Sequence, residues 1–325
     1  KDFLKNLAKS AKNRGFSVNF GVDIIGNLAE TGNWFHNMNE DLEIMQRLFL
    51  YSENVISINA TIYQNAGATM IQQLAYSLAH LNEYFTKYSE SISNQIINFK
   101  FSVGSNYFFE IAKLRAFRLL FNTLASEYDL KVTITLTAIP SLRNKVIYDY
   151  NTNLLRTTTE CMSAILGGAN TVLNLPYDVL YHKTNEFGQR ISRNQLLILK
   201  EESYFEAQNN PAEGSYYIES LTDQLAEKAL TLFKQIEAEG GFLKLLKYGN
   251  IQRKIKESAQ KEQDAFDSGN KILLGINKHP NPDDRMKDDI ELYPFIKKNA
   301  RKTLIEPIIS KRLAENQEKK RLNNE

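Results

Sequence analysis

Few side chains in this sequence could move a proton at the places where an α/β protein would use one. The four histidines, His36, His80, His182 and His279, are scattered, and none falls at the carboxyl end of a β-like run, where such folds keep their reactive groups. Those ends carry instead Asn27 and Glu30, Tyr63 and Gln64, Ser105 and Asn106, Thr137 and Ser141, and Asn174. They are polar, but few of them titrate near neutral pH. Acid–base chemistry would fall to Glu30, Glu202 or Tyr63, and no spacing forces any two of these together. The single Cys161, among Glu160, Met162 and Ala164, reads as a small core side chain and forbids an internal disulfide. No Gly-x-Gly-x-x-Gly, Gly-Lys-Ser, His-Glu-x-x-His or cysteine cluster occurs, so nucleotide, zinc and thiol chemistry have no motif to stand on.

Five β-rich runs must position these residues: 16–25, 56–61, 98–104, 131–139 and 169–176. Their starts lie 40, 42, 33 and 38 residues apart, with helical patterns between. Mostly apolar strands separated by helices make right-handed βαβ units and a parallel sheet, so the class is α/β. Ile71, Leu74, Leu78, Leu81 and Phe85 alternate at three and four residues and form one apolar stripe, with His80 beside it as a structural or surface residue. Eight strands at this spacing would close a barrel, and five are visible. An open five-stranded sheet fits the periodicity equally well. Because the chain begins at Lys1 inside a helix-like stretch, a barrel reading expects the remaining strands upstream of it.

After residue 190 the pattern is helical. A helix with a capping box at Ser220 and an apolar stripe of Leu221, Leu225, Ala229, Leu232 and Ile236 stops at Gly240 and Gly241. A second runs from Ile251 to Phe266, and from Asn281 onward Pro, Asp and Lys dominate, with residues 311–325 reading as a charged, solvated tail. The 40 basic and 38 acidic residues among 325 nearly cancel, which leaves no electrostatic footprint for nucleic acid or anionic lipid. No apolar run reaches membrane-spanning length and the N-terminus lacks a signal-peptide core, so the expected location is the cytoplasm, with no nucleic-acid or membrane partner.

Four segments carry a family resemblance: Gln64-Asn-Ala-Gly-Ala-Thr, Phe108-Phe-Glu-Ile-Ala-Lys-Leu-Arg-Ala-Phe-Arg, Arg193-Asn-Gln-Leu-Leu-Ile-Leu-Lys-Glu-Glu-Ser, and Asn210-Pro-Ala-Glu-Gly-Ser-Tyr-Tyr. The second reads by itself as an ordinary amphipathic helix whose Glu110, Lys113, Arg115 and Arg118 span roughly 200° of its surface. In this order the four resemble the barrel domain of the cobalamin-dependent methylmalonyl-CoA mutases, from about residue 21 to residue 280. The resemblance implies a parallel (β/α)8 TIM-type barrel, N-terminally incomplete here, with about five of eight strands in residues 1–190, a helical region in 191–280 completing it, and a charged tail in 281–325.

The departures matter more. Where catalytic members carry an Arg-Thr-His segment this chain has Thr135-Leu136-Thr137, and Leu173 stands where a second pocket histidine is implied. The cobalt-ligating Asp-x-His-x-x-Gly motif has no counterpart, and Glu202 aligns with a carboxylate near the cofactor. With Gly26-Asn-Leu-Ala-Glu-Thr-Gly-Asn-Trp, these features resemble the small subunit of the two-chain bacterial mutases. That implies no catalytic residue on this chain, a possible pocket remnant at Thr137, Ser141, Asn174 and Glu202, and no metal. Adenosylcobalamin would sit on a large catalytic partner subunit, and the complex would interconvert methylmalonyl-CoA and succinyl-CoA. The competing expectation is a free-standing barrel enzyme using Glu30, Glu202 or Tyr63.

Overall fold

The computed structural model describes residues 2–16, 18–207, 209–297 and 301–325. Its elements run α1 Asp2–Asn13, β1 Asn19–Val22, α2 Ile24–Thr31, α3 Met38–Leu48, β2 Asn54–Asn59, α4 Thr61–Asn65, α5 Met70–Tyr88, β3 Ile96–Val103, α6 Tyr107–Glu127, β4 Thr133–Pro140, α7 Thr152–Leu166 and β5 Thr171–Val172. Helices follow: α8 Glu186–Leu197, α9 Tyr216–Ala238, α10 Phe242–Lys247, α11 Asn250–Asp267 and α12 Glu315–Leu322.

The five strands form one parallel sheet in sequential order, β1-β2-β3-β4-β5. Because parallel crossovers are right-handed, a sequential order places every connecting helix on the same face. That face is apolar: Ile97, Phe99, Phe101 and Val103 of β3 and Ile134, Leu136 and Ala138 of β4 are buried. Phe117 of α6 meets Phe99 and Phe101 edge-on at 4.6 and 4.8 Å between ring centroids, a geometry that adds about 0.5–1.5 kcal/mol per pair beyond the area buried. The opposite face carries Ser57, Asn98, Lys100, Thr135 and Thr137, the residues that alternate with the apolar set in the paired register. Closure of β1 onto β5 is not seen among the described residues.

Local chemistry explains where the helices start. Thr69 and Gln72 form a reciprocal capping box on α5, and Asp23, Asn37 and Asn185 cap α2, α3 and α8 with their side chains. Gly67 turns the chain between α4 and α5 at φ +99°, and a Cβ there would stand 2.5 Å from Ala259 Cβ, so the Ala66-Gly67-Ala68 turn is held to glycine by conformation and by space. Helix α9 packs across α5 and α6 rather than on the sheet, burying Ile218, Leu221, Leu225, Ala229, Phe233 and Ile236.

Three expectations are corrected. Helix α9 begins at Tyr216, not Ser220, because Glu219 Oε1 accepts from Gly214 N at 2.7 Å and closes the first turn earlier. Strand β5 has two residues where 169–176 was expected, since Asn174 Oδ1 takes the amide of Leu175 and Pro176 has none to donate. The segment 311–325 is not a solvated tail: Arg312 and Glu318 form a buried ion pair, Glu318 Oε1 accepts from Ile147 N, and Leu313 packs with Val146 and Phe266.

Candidate functional site

The polar face of the sheet is a hydrogen-bonded ladder. Thr135 Oγ1 and Thr137 Oγ1 both donate to Asn98 Oδ1, at 3.2 and 3.0 Å, and Asn98 Nδ2 donates to Ser57 Oγ at 2.8 Å. Thr137 pairs with Thr171 across β4 and β5, and the next residue but one, Leu173, donates its amide to Ala138 O and exposes its side chain on the same face. The two positions where the resemblance implies histidines are therefore neighbours, and they hold a hydroxyl already committed to an amide oxygen and an isobutyl group. Asn174 turns away, donating to Ser192 O and Gln195 Oε1.

At the carboxyl ends of β2, β3 and β4 a cavity of about 300 Å³ opens among Gln64, Asn106, Glu110, Ser141, Arg143 and Glu262. Its polar wall is built around a buried lysine. Lys113, fully buried, donates to Gln64 Oε1, Gln73 Oε1 and Ser102 O at 3.0, 3.1 and 2.7 Å and pairs with Glu110, whose Oε1 accepts from Gly104 N at 2.8 Å. Burial pulls the Lys113 ammonium below its ordinary value, with Glu110 opposing. The expectation of an amphipathic helix with Glu110 and Lys113 on its open side is thus corrected: both point into the protein, where each neutralises the other. On the far wall Arg143 and Lys271 flank Glu262, and their charges outweigh the burial that would raise its carboxyl, holding it below the usual range. Ser141 is buried and donates to Asn65 Oδ1 at 3.0 Å. Behind it Lys145 and Glu160 form a second buried pair at 2.7 Å.

The expected residues are only partly gathered. Ser141 lines the cavity, Thr137 and Leu173 lie on the sheet face, and Glu202 is exposed at the end of the π-helical turn 198–202. Glu30 is also exposed, while Tyr63 is fully buried with its hydroxyl 3.1 Å from His80 Nδ1. These three share no hydrogen bond among the described residues. Sequence reasoning missed the group around His80: its Nε2 is 2.9 Å from Asp23 Oδ1, which also accepts from Tyr84 Oη and Gly26 N at 2.8 Å each, while Phe242 stacks on the imidazole. Asp23, directly after β1 and three residues before Gly26, was the available signal. Burial would raise its carboxyl, but the His80 charge and hydrogen bond with the amides of Asn59 and Gly26 hold it below the ordinary value.

The donor set does not fit a cobalt corrin. Among the described residues His80 is enclosed by Asp23, Tyr63 and Phe242, His36 and His182 lean on Asp41 and Asp178, and His279 is exposed in the loop after α11. No imidazole stands on the polar sheet face; His80, held between Asp23 after β1 and Tyr63 after β2, is enclosed at the strand ends with both ring nitrogens engaged. Cys161 is buried, and burial pushes its thiol up to about 12, so it stays protonated.

A parallel sheet with sequential strand order, helices on one face and a polar ladder ending at a pocket on the other defines an α/β protein whose site lies at the strand ends. The family profile described as methylmalonyl-CoA mutase matches residues 6–324, and the chain belongs to that family. The methylmalonyl-CoA mutase small subunit of Porphyromonas gingivalis is 39% identical over 249 residues, covering 73% of this chain and 40% of that protein. The methylmalonyl-CoA mutase of Cereibacter sphaeroides is 39% identical over 238 residues, 70% of this chain and 33% of that one. The Porphyromonas gingivalis large subunit is 29% identical over 318 residues, 92% and 44% respectively. The chain spans less than half the length of these relatives.

Proposed function

We propose that this chain is the non-catalytic small subunit of a two-chain, adenosylcobalamin-dependent methylmalonyl-CoA mutase, acting in the cytoplasm. Its partner is a large catalytic subunit that binds the cofactor and interconverts methylmalonyl-CoA and succinyl-CoA. The observation that carries this reading is the pair Thr137 and Leu173, adjacent on the polar sheet face where the resemblance implies two imidazoles. Neither can donate or accept a proton in a reaction at neutral pH.

The likeness to a small subunit supports the same reading, as does a donor set with no imidazole facing the sheet's open side. Sequential strand order with all crossovers on one face supports a (β/α)8 barrel to which these five strands belong. In this reading residues 1–190 are part of the barrel, 191–280 complete the mutase domain, and 311–325 pack back onto it. Of the four residues expected as a pocket remnant for acyl-CoA, Ser141 in the cavity and Thr137 on the sheet face fit this reading, while Asn174 is turned to Ser192 and Gln195 and Glu202 is exposed outside the cavity. The chemistry of the cofactor belongs to the other chain, and this chain stabilises it through an interface of the permanent kind.

The test is sedimentation of the natural chain mixed with a cobalamin-binding large mutase subunit. One faster-moving species containing both chains is expected. Two independent boundaries at micromolar concentration would remove the subunit reading.

A further inference from the structure

At the amino end of β5, the opposite end of the sheet from the pocket above, a second cavity of about 330 Å³ lies between α6, the Gly167-Gly168 turn after α7, Thr222 of α9 and Asn210. Two arginines one helical turn apart, Arg115 and Arg118, form its wall. Every acceptor the structure gives them is neutral: Asn210 Oδ1 for Arg115, and Gly168 O and Asn170 Oδ1 for Arg118. Arg115 Nε is buried with no acceptor among the described residues. Glu213 is turned to Asn210 Nδ2, at 2.8 Å, and pairs with neither guanidinium.

Two like charges at i and i+3 repel, and half-burying them without a counter-charge costs free energy that a folded protein recovers only if something negative arrives. Burial already weakens the hold of Arg118 on its proton. A Cβ on Gly168 would meet only Arg118 Nε, at 3.9 Å, so the turn opposite leaves that nitrogen uncrowded, while Arg118 Nη2 is held by Gly168 O and Asn170 Oδ1. Asn210, held at φ +48°, a conformation asparagine tolerates better than most residues, fixes the Arg115 side chain from the other side.

We infer that the cavity is an oxyanion site in which Arg115 and Arg118 together take a phosphate-sized dianion. The guanidinium fork matches the edge of a phosphate in two parallel hydrogen bonds, and two forks match its charge of about two. The buried cations Lys113, Lys145, Arg143 and Arg312 each sit on a carboxylate, and half-buried Arg156 faces neutral oxygens singly; Arg115 and Arg118 are a neighbouring pair that faces only neutral oxygens.

The test is calorimetric titration of the natural chain with inorganic phosphate, acetate and chloride at matched ionic strength, beside the variants Arg118→Gln and Arg115→Lys. Saturable binding of phosphate is expected, with Arg118→Gln weakened about tenfold or more, Arg115→Lys weakened despite its retained charge, and acetate and chloride bound at background. Arg118 is exposed enough for its variant to fold, and circular dichroism checks this. Phosphate that behaves like chloride, or variants that fold and bind unchanged, would overturn the site. Acetate binding as tightly as phosphate would overturn the dianion and make this a cleft for a carboxylate, such as an acidic side chain of a partner protein.

Discussion

Thr137 Oγ1 donates to Asn98 Oδ1 at 3.0 Å across β4 and β3, so the residue standing where the resemblance implies a histidine is tied into the sheet rather than directed at a ligand. Thr135 donates to the same oxygen, so Asn98 keeps a partner if Thr137 is changed. The double variant Thr137→His, Leu173→His should therefore fold, with a stability cost of about 1 kcal/mol from the lost bond. It should still convert no methylmalonyl-CoA when supplied with adenosylcobalamin. Succinyl-CoA detected by mass spectrometry from the variant alone would mean that two imidazoles are sufficient on this scaffold.

The buried Glu110–Lys113 pair is a matched set. Removing one partner strands a charge in the interior and costs about 3–5 kcal/mol, whereas removing both is far milder. Urea unfolding should show Lys113→Met strongly destabilised and the double variant Glu110→Gln, Lys113→Met recovering most of the loss. Equal losses for single and double variants would show that the ladder to Gln64, Gln73 and Ser102, not the charge balance, is what counts.

Gly67 has no room for a methyl group and a backbone conformation that side chains avoid. Gly67→Ala should cost more than about 1 kcal/mol, and the strain should be felt at Ala259 and Arg143 across the first cavity. A thermal midpoint unchanged by the substitution would contradict the close approach of α11 to this turn.

The Asp23–His80 contact predicts a pH dependence with a definite sign. The Asp23 carboxyl is held below its unfolded value of 3.8, so its contribution to stability is fully present above that value and is lost as pH falls through the lower folded value. Unfolding free energies below pH 4 should decline less steeply in Asp23→Asn than in the natural chain. Parallel curves would place the acid sensitivity elsewhere.

The strands were legible because buried parallel strands are apolar runs: β2, β3 and β4 lie within a few residues of the runs at 56–61, 98–104 and 131–139. Elements whose limits depend on side-chain hydrogen bonds were not, as β5 and the first turn of α9 illustrate. Charge misled twice. Glu110 with Lys113, and Arg312 with Glu318, resemble solvated surface in sequence because nothing in a linear pattern reveals that opposite charges will meet inside. Of the expected site residues the structure brings Ser141 into the cavity and puts Thr137 on the sheet face, while Glu202 stays exposed away from both. The His80 group required knowledge that Asp23, Tyr63 and Tyr84 converge from three elements.

The most direct measurement of the central claim is turnover of methylmalonyl-CoA by the natural chain with adenosylcobalamin, first alone and then with the large subunit. The account predicts succinyl-CoA at the level of a denatured control for the chain alone, and formation of succinyl-CoA once the large subunit is present. Turnover above that control by the chain alone would contradict it.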